Sequence, residues 1–128
     1  MISYKKFIPG IAWFFLVLIL ICLPKDDLPI TDDWMSAIFF DKWVHAGLFC
    51  ILAFLFMMPF CKSNLTHKNK WNTVIKIALA VIVWGLTTEF IQKFFIPGRA
   101  FDLWDWLADS LGVILAVVVC WKFYLKYE

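Results

Sequence analysis

Ionisable side chains gather near the ends of three apolar stretches in this sequence. Asp41 and His45 are four residues apart in one stretch, and Glu89 and Gln92 are three residues apart in the next. Residues with these spacings lie on one face of a helix. Imidazole and carboxylate groups brought together in this way could transfer protons or bind a polar ligand. We therefore take His45 and Glu89 as candidate acid–base residues.

A row of aspartates marks the last apolar stretch. Asp102, Asp105 and Asp109 follow an i, i+3, i+7 pattern, and Gly112 and Ala116 continue the same stripe. Carboxylate oxygens are the ligands that Mg²⁺ and Ca²⁺ prefer, so these three aspartates are candidate metal ligands. No firm metal site follows from this pattern, and we expect no bound cofactor.

The elements that position these residues are long apolar segments. The chain has 128 residues, of which 63% are hydrophobic, against about 45–50% in ordinary soluble domains. A soluble domain of this size could not bury so much apolar surface, whereas about 20 apolar residues suffice to cross a bilayer. We predict an all-α membrane protein, a single domain over residues 1–128 built as a compact bundle of four transmembrane helices at about 7–23, 43–60, 71–92 and 103–121.

The basic residues predict the orientation of this bundle. Eight of the 12 lysines and arginines flank one side of the predicted membrane region. The positive-inside rule places that side, with both chain termini, in the cytoplasm. Almost all acidic residues then belong to the outer side. The net charge of only +2 gives no support to a nucleic-acid partner.

The two outer connections have different patterns. Between the first two stretches, possible N-cap residues at 31–33 precede an aromatic segment at 34–40. This pattern predicts a short interfacial helix at the level of the lipid headgroups. Between the last two stretches, Pro97 and Gly98 predict a type II turn. That turn would direct Arg99 back toward the helix ends.

Charged groups within a membrane are expected to pair. Each costs roughly 2.5–3.5 kcal/mol at a helix centre on insertion scales. Arg99 could form a two-pronged ion pair with Glu89 or Asp109, and His45 could donate to a further carboxylate. Two interpretations remain open: the polar groups only hold the helices together, or they receive a ligand. The excess of acid over base favours a ligand.

Four motifs in fixed order resemble the VanZ-like family of bacterial membrane proteins. They are D-K-x-x-H from Asp41, E-x-x-Q from Glu89, P-G-R from Pro97 and D-x-x-x-D-x-x-G from Asp105. Where the fourth motif has Asp109, the family often has asparagine. The resemblance implies a multi-pass protein of the bacterial cytoplasmic membrane, and a named relative gives low-level resistance to teicoplanin. The candidate ligand-binding residues are Asp41, His45, Glu89, Gln92, Arg99, Asp105 and Asp109.

The preferred functional hypothesis is action at the outer membrane face on an amphipathic envelope ligand. Teicoplanin, a lipoglycopeptide, and a lipid-linked wall precursor are such ligands, and membrane lipid is a further partner. Arg99 would contact the polar head, while segment 34–40, Trp104 and Trp106 would contact the acyl chain. One alternative is a membrane enzyme acting on a lipid-linked phosphate, and another is a purely structural polar cluster.

Overall fold

The computed structural model describes residues 1–24 and 40–127 of the chain. A 3₁₀ turn, Tyr4–Phe7, leads into helix α1, Ile8–Ile21. The other helices are α2, Phe40–Cys61, α3, His67–Phe95, and α4, Leu103–Cys120, which a π-helical turn, Trp121–Leu125, extends. Within these described ranges there is no strand. The prediction of an all-helical chain is therefore confirmed for them.

Four helical segments are long and apolar enough to cross a membrane. They are Tyr4–Ile21, Asp41–Cys61, His67–Phe95 and Leu103–Leu125. These segments confirm the predicted number of membrane-spanning helices in the described part of the chain. The interfacial helix predicted at 34–40 falls outside the described residues, apart from the first residue of α2. The orientation with both termini in the cytoplasm stays a prediction.

Helices α2 and α3 are longer than the sequence predicts. Helix α2 begins at Phe40 rather than 43, which places Asp41 in its first turn, where a negative charge is favoured by the helix dipole. Helix α3 begins at His67 rather than 71 because Thr66 caps it, accepting a hydrogen bond from the Asn69 N–H at 3.4 Å. The earlier start of α2 adds two charged residues, Asp41 and Lys42, to the helix.

Helices α2 and α4 pack backbone to backbone. A Cβ atom placed on Gly112 of α4 would lie 2.1 Å from the carbonyl oxygen of Ala46 in α2. Only glycine permits this approach, as in other membrane helix pairs with small residues at the contact. In the same two helices, the side chains of Phe49 and Val113 are fully buried and belong to the hydrophobic core. The contact fixes the register of the two helices, and with it the depth of the polar side chains that they carry.

Two tryptophan side chains connect the other helices through hydrogen bonds. Trp13 Nε1 in α1 donates to the carbonyl oxygen of Leu48 in α2 at 3.0 Å. Trp106 Nε1 in α4 donates to the carbonyl oxygen of Ile82 in α3 at 3.0 Å. An indole N–H within apolar surroundings needs such a partner. Both bonds therefore help to hold the helices in fixed relative positions.

Candidate functional site

Lys42 is the centre of a group of carboxylates at one end of the bundle, which we call the polar end. Its Nζ lies 2.7 Å from Asp41 Oδ2 and 2.8 Å from Asp102 Oδ2. Asp105 Oδ1 lies 2.6 Å from the same nitrogen. The Asp41 side chain is 61% exposed and that of Asp105 only 8%. These four residues, the lysine cluster, thus run from the surface into the bundle.

Asp102 joins three parts of the polar end. Its Oδ1 caps α4 by accepting from the Trp104 N–H at 2.9 Å, and its own N–H donates to Glu89 Oε2 at 3.1 Å. Burial disfavours its charged form, but the hydrogen bonds from Lys42 and Trp104 outweigh burial and lower the pKa of Asp102 below its ordinary value. Asp102 is therefore a carboxylate at neutral pH, fixed in place by its contacts.

A second group of polar side chains lies deeper, and we call it the histidine cluster. It consists of His45 from α2, Glu89 from α3 and Asp109 from α4. One ligand atom from each lies within 4.8 Å of the others. His45 is 8% exposed, and Glu89 and Asp109 are fully buried. The cluster thus brings together side chains from three of the polar helix ends that the sequence indicates.

Hydrogen bonding in the histidine cluster is incomplete. His45 Nδ1 lies 2.8 Å from Asp109 Oδ1, and Glu89 Oε2 accepts from the Asp102 N–H. Among the described residues, the remaining oxygens, Glu89 Oε1 and Asp109 Oδ2, have no hydrogen-bond partner and are inaccessible to solvent. A buried acceptor without a partner costs about 1–3 kcal/mol, and more when it is charged. The cluster therefore has unused capacity to bind a cation or a donor.

The three aspartates proposed as a metal triad are divided between the two clusters. Asp102 and Asp105 surround the Lys42 ammonium, whereas Asp109 pairs with His45. Seven residues along a helix cover about 10 Å, which is too far for one ion to contact both ends of the row. The structure thus separates Asp109 from the other two aspartates. Between Asp102 and Asp105, the Lys42 ammonium occupies the position that a metal cation would take.

Gln92 and Arg99 hold the end of α1. Gln92 Nε2 donates to the carbonyl oxygen of Ile21 at 3.0 Å, and Arg99 Nη2 donates to that of Leu23 at 3.3 Å. The last carbonyls of a helix lack partners within it, so Gln92 satisfies one of them, and Arg99 bonds the chain just beyond the helix. In the described part of the chain Arg99 makes no ion pair with Glu89 or Asp109. The expected pairing of Arg99 is thus replaced by contact with α1.

The turn that carries Arg99 has the predicted form. The Arg99 N–H donates to the carbonyl oxygen of Ile96 at 3.2 Å, which closes a four-residue turn around Pro97 and Gly98. Gly98 has a φ of +77°, the left-handed value that the third position of a type II turn requires. This turn brings Arg99 to the end of α1, as the sequence indicates.

Sequence reasoning missed Lys42 as the central cation. It treated this residue only as one of the basic groups on the outer side. A signal was available, because Lys42 is three residues before His45 and so shares its helix face. The missing information was that α2 starts at Phe40, which makes Lys42 part of the helix and points it at α4.

A groove between α2 and α4 begins at the lysine cluster. It has a volume of about 700 Å³ and is lined by apolar side chains, with the Lys42 side chain at its polar end. Trp104 lines it, whereas Trp106 turns toward α3 and bonds Ile82. The lining residues are Lys42, Trp43, Ala46, Trp104, Leu107, Ala108 and Leu111.

The fold and site define a multi-pass membrane protein with two stacked polar clusters at one end of a helical bundle. The family model described as VanZ/LLP1 matches residues 11–125. The chain therefore belongs to the VanZ family, which confirms the resemblance of its motifs. No curated protein matches the chain, and no solved structure matches it.

Proposed function

We propose that this VanZ-family protein binds an amphipathic envelope ligand at the outer face of the bacterial cytoplasmic membrane. The observation that carries the proposal is the apolar groove between α2 and α4, which ends at the lysine cluster. An acyl tail would lie along the groove, and a polar head would rest on the charged residues at its end. The groove volume of about 700 Å³ is within the usual range of ligand sites, about 300–1,000 Å³.

The charge of the lysine cluster restricts the head group. Three carboxylates surround one ammonium, which leaves a formal charge of −2 when all four groups are ionised. Asp41, with its side chain 61% exposed, presents part of this charge at the surface. A head group that carries an amino group complements this end of the groove. Arg99 does not line the groove and instead donates to the carbonyl oxygen of Leu23.

The distribution of lysines favours one orientation of the protein in the membrane. With both termini in the cytoplasm, as the positive-inside rule predicts, the polar end and the mouth of the groove face outward. Lipoglycopeptides such as teicoplanin and lipid-linked wall precursors meet the membrane on that side. We therefore link the protein to teicoplanin resistance through capture of the acyl tail.

Filling the groove tests this proposal. The variant Leu107→Trp places a bulky indole ring in the groove. The variant Leu79→Trp places the same ring at an exposed position of α3 outside the groove. Leu107 is 43% exposed and Leu79 is 59% exposed, so the two substitutions are matched. A teicoplanin-sensitive bacterial host expressing the native chain or Leu79→Trp should be protected from teicoplanin, and Leu107→Trp should lose that protection at equal membrane levels.

Vancomycin, a glycopeptide without a lipid tail, is the control ligand. Protection should be selective for teicoplanin, because only the tail fills the groove. Equal protection against both drugs, or full protection by Leu107→Trp, would contradict the proposal.

A second candidate function is hydrolysis or transfer of a lipid-linked phosphate. The hydrogen bond of 2.8 Å between His45 and Asp109 favours it, because a carboxylate that orients an imidazole is typical of general acid–base pairs. Purified protein would then release product from polyprenyl phosphates, and Asp109→Asn would reduce the rate. Absence of product with and without added divalent metal would leave binding as the function.

A further inference from the structure

Within residues 1–24 and 40–127, two buried carboxylates in the histidine cluster lack a matching cation. Glu89 and Asp109 are fully buried within the bundle, where an isolated negative charge is strongly disfavoured. Lys42, one turn away on α2, contacts Asp41, Asp102 and Asp105. The imidazole of His45 can balance only one of the two carboxylates, and only when it is protonated.

The free atoms of the cluster point to a metal ion as the missing partner. Glu89 Oε1 and Asp109 Oδ2 are inaccessible to solvent and have no hydrogen-bond partner among the described residues. Independently, His45, Glu89 and Asp109 each offer one nitrogen or oxygen ligand atom, from three helices, within 4.8 Å of the other two. From these observations we infer that His45, Glu89 and Asp109 bind one divalent transition-metal ion, with Zn²⁺ or Mn²⁺ as its chemical class.

The ligand types select this class. Imidazole nitrogen suits Zn²⁺ and related ions, and carboxylate oxygen suits Mn²⁺ as well as Mg²⁺ and Ca²⁺. Ca²⁺ takes about six to eight oxygen ligands, more than this cluster supplies. A divalent ion with two carboxylates and a neutral imidazole forms a group without net charge, which is the state that an apolar environment favours.

The ion would fit with small movements of the side chains. His45 Nδ1 and Asp109 Oδ1 are 2.8 Å apart, and two ligands of one tetrahedral Zn²⁺ are about 3.4 Å apart at bond lengths near 2.1 Å. These two atoms would separate by about half an ångström to admit the ion. The other ring nitrogen, Nε2, faces Asp105 Oδ2 at 3.8 Å. This distance is too long for a hydrogen bond, but it places a carboxylate on the side of the ring where ligating histidines usually have their second partner.

Neighbouring groups prepare the site for a cation. The Asp102 N–H holds Glu89 in place through Oε2, which leaves Oε1 for the ion. The lysine cluster lies between the histidine cluster and the surface, and its excess of negative charge attracts cations toward it. The ion site is separate from the groove, so it does not depend on the ligand proposed above.

Metal titration of the purified full-length chain in lipid nanodiscs tests the inference. The native protein, stripped with chelator, should bind one equivalent of Zn²⁺ or Mn²⁺ and much less Mg²⁺. Loss of a residue that hydrogen-bonds to a metal ligand typically costs about 10- to 100-fold in metal affinity. Glu89→Gln and Asp109→Asn remove direct ligands, so they should weaken binding by about 100-fold or more. The matched control Asp41→Asn removes a carboxylate from the lysine cluster and should retain the native affinity.

A spectroscopic readout on the native protein keeps the test independent of variant folding. Co²⁺ bound at the same site should give visible absorption bands, which one equivalent of Zn²⁺ abolishes. Stoichiometric binding of Zn²⁺ or Mn²⁺ that fails in both ligand variants supports the site. No binding by the native chain would overturn it, as would binding that Asp41→Asn abolishes and Glu89→Gln leaves intact.

Discussion

The lysine cluster and the histidine cluster both take side chains from α2 and α4, one turn apart, but they balance charge differently. Asp41 and His45 are four residues apart on α2, and Asp105 and Asp109 are four residues apart on α4. In the shallower cluster the Lys42 ammonium lies 2.6–2.8 Å from three carboxylates. In the deeper cluster two buried oxygens have no partner in the described part of the chain.

This difference separates a cluster that contains its own ammonium, that of Lys42, from one in which, among the described residues, two buried oxygens have no partner. The chain supplies its own cation to the cluster nearer the surface, where solvent also helps to stabilise the charges. In the cluster within the bundle, the described residues supply only an imidazole, and each unbalanced charge costs more there. The lysine cluster is therefore suited to hold helices and to meet a ligand at the surface, and the histidine cluster is suited to hold an ion.

The largest expected effect comes from Gly112→Ala, which would separate α2 from α4 and disturb both clusters together. The added Cβ would lie 2.1 Å from the Ala46 carbonyl oxygen, so the free energy of unfolding should fall by about 3 kcal/mol. Gly47→Ala on the same α2 helix is the control, because a Cβ there has no atom within 4 Å. That variant should be slightly more stable than native in detergent unfolding. Similar stability of both variants would refute the close helix contact.

A somewhat smaller loss is expected when the lysine cluster alone loses its cation. Lys42→Met leaves three carboxylates without their shared ammonium. This change should lower the free energy of unfolding by up to about 3 kcal/mol. Adding Asp105→Asn to this variant should restore part of the loss, because it removes one of the unbalanced charges. If the single variant unfolds like the native protein, Lys42 is not the centre of the cluster.

Neutralising one aspartate in each cluster should distinguish the two clusters directly. Asp105→Asn breaks an ion pair of 2.6 Å with Lys42 and should cost about 1–2 kcal/mol of stability. Asp109→Asn removes a fully buried carboxylate while keeping a hydrogen-bonding side chain beside His45. In metal-free protein it should therefore cost less than Asp105→Asn, or increase stability. Unfolding of both variants in the presence of chelator gives the comparison, and the reverse order would contradict it.

The smallest expected effect is the pH dependence that comes from Asp102. Because its pKa in the folded protein is lowered, its charged form stabilises the fold at pH values above its ordinary pKa, about 3.9. This contribution decreases as the pH falls through the folded pKa. Asp102→Asn keeps a good N-cap residue and removes the charge. The difference in melting temperature between native and variant should be constant from pH 7 to 5 and shrink below about pH 4.

Hydropathy and spacing were sufficient to predict the four helices and the convergence of polar groups. The i, i+4 pair of Asp41 and His45 and the position of Glu89 follow from helical periodicity, which depends only on local sequence. The Pro97–Gly98 turn also follows from local chemistry, since few residues adopt a positive φ.

The pairings within the site could not be predicted, because they depend on the register between helices. Gly112 sets that register through a backbone contact with Ala46, and no spacing along one chain segment reveals it. For the same reason, the sequence does not predict which of the two cations, Arg99 or Lys42, contacts the carboxylates. Arg99 was expected at the carboxylates but holds the end of α1, while Lys42 takes the position among them.

The location of a bound metal ion tests the contrast between the two clusters most directly. An anomalous diffraction map of crystals of the Zn²⁺-soaked full-length protein, recorded at the zinc absorption edge, would show it. One peak is expected among His45, Glu89 and Asp109, and none among Asp41, Asp102 and Asp105, where Lys42 lies. A peak in the lysine cluster, or no peak in either, would contradict it.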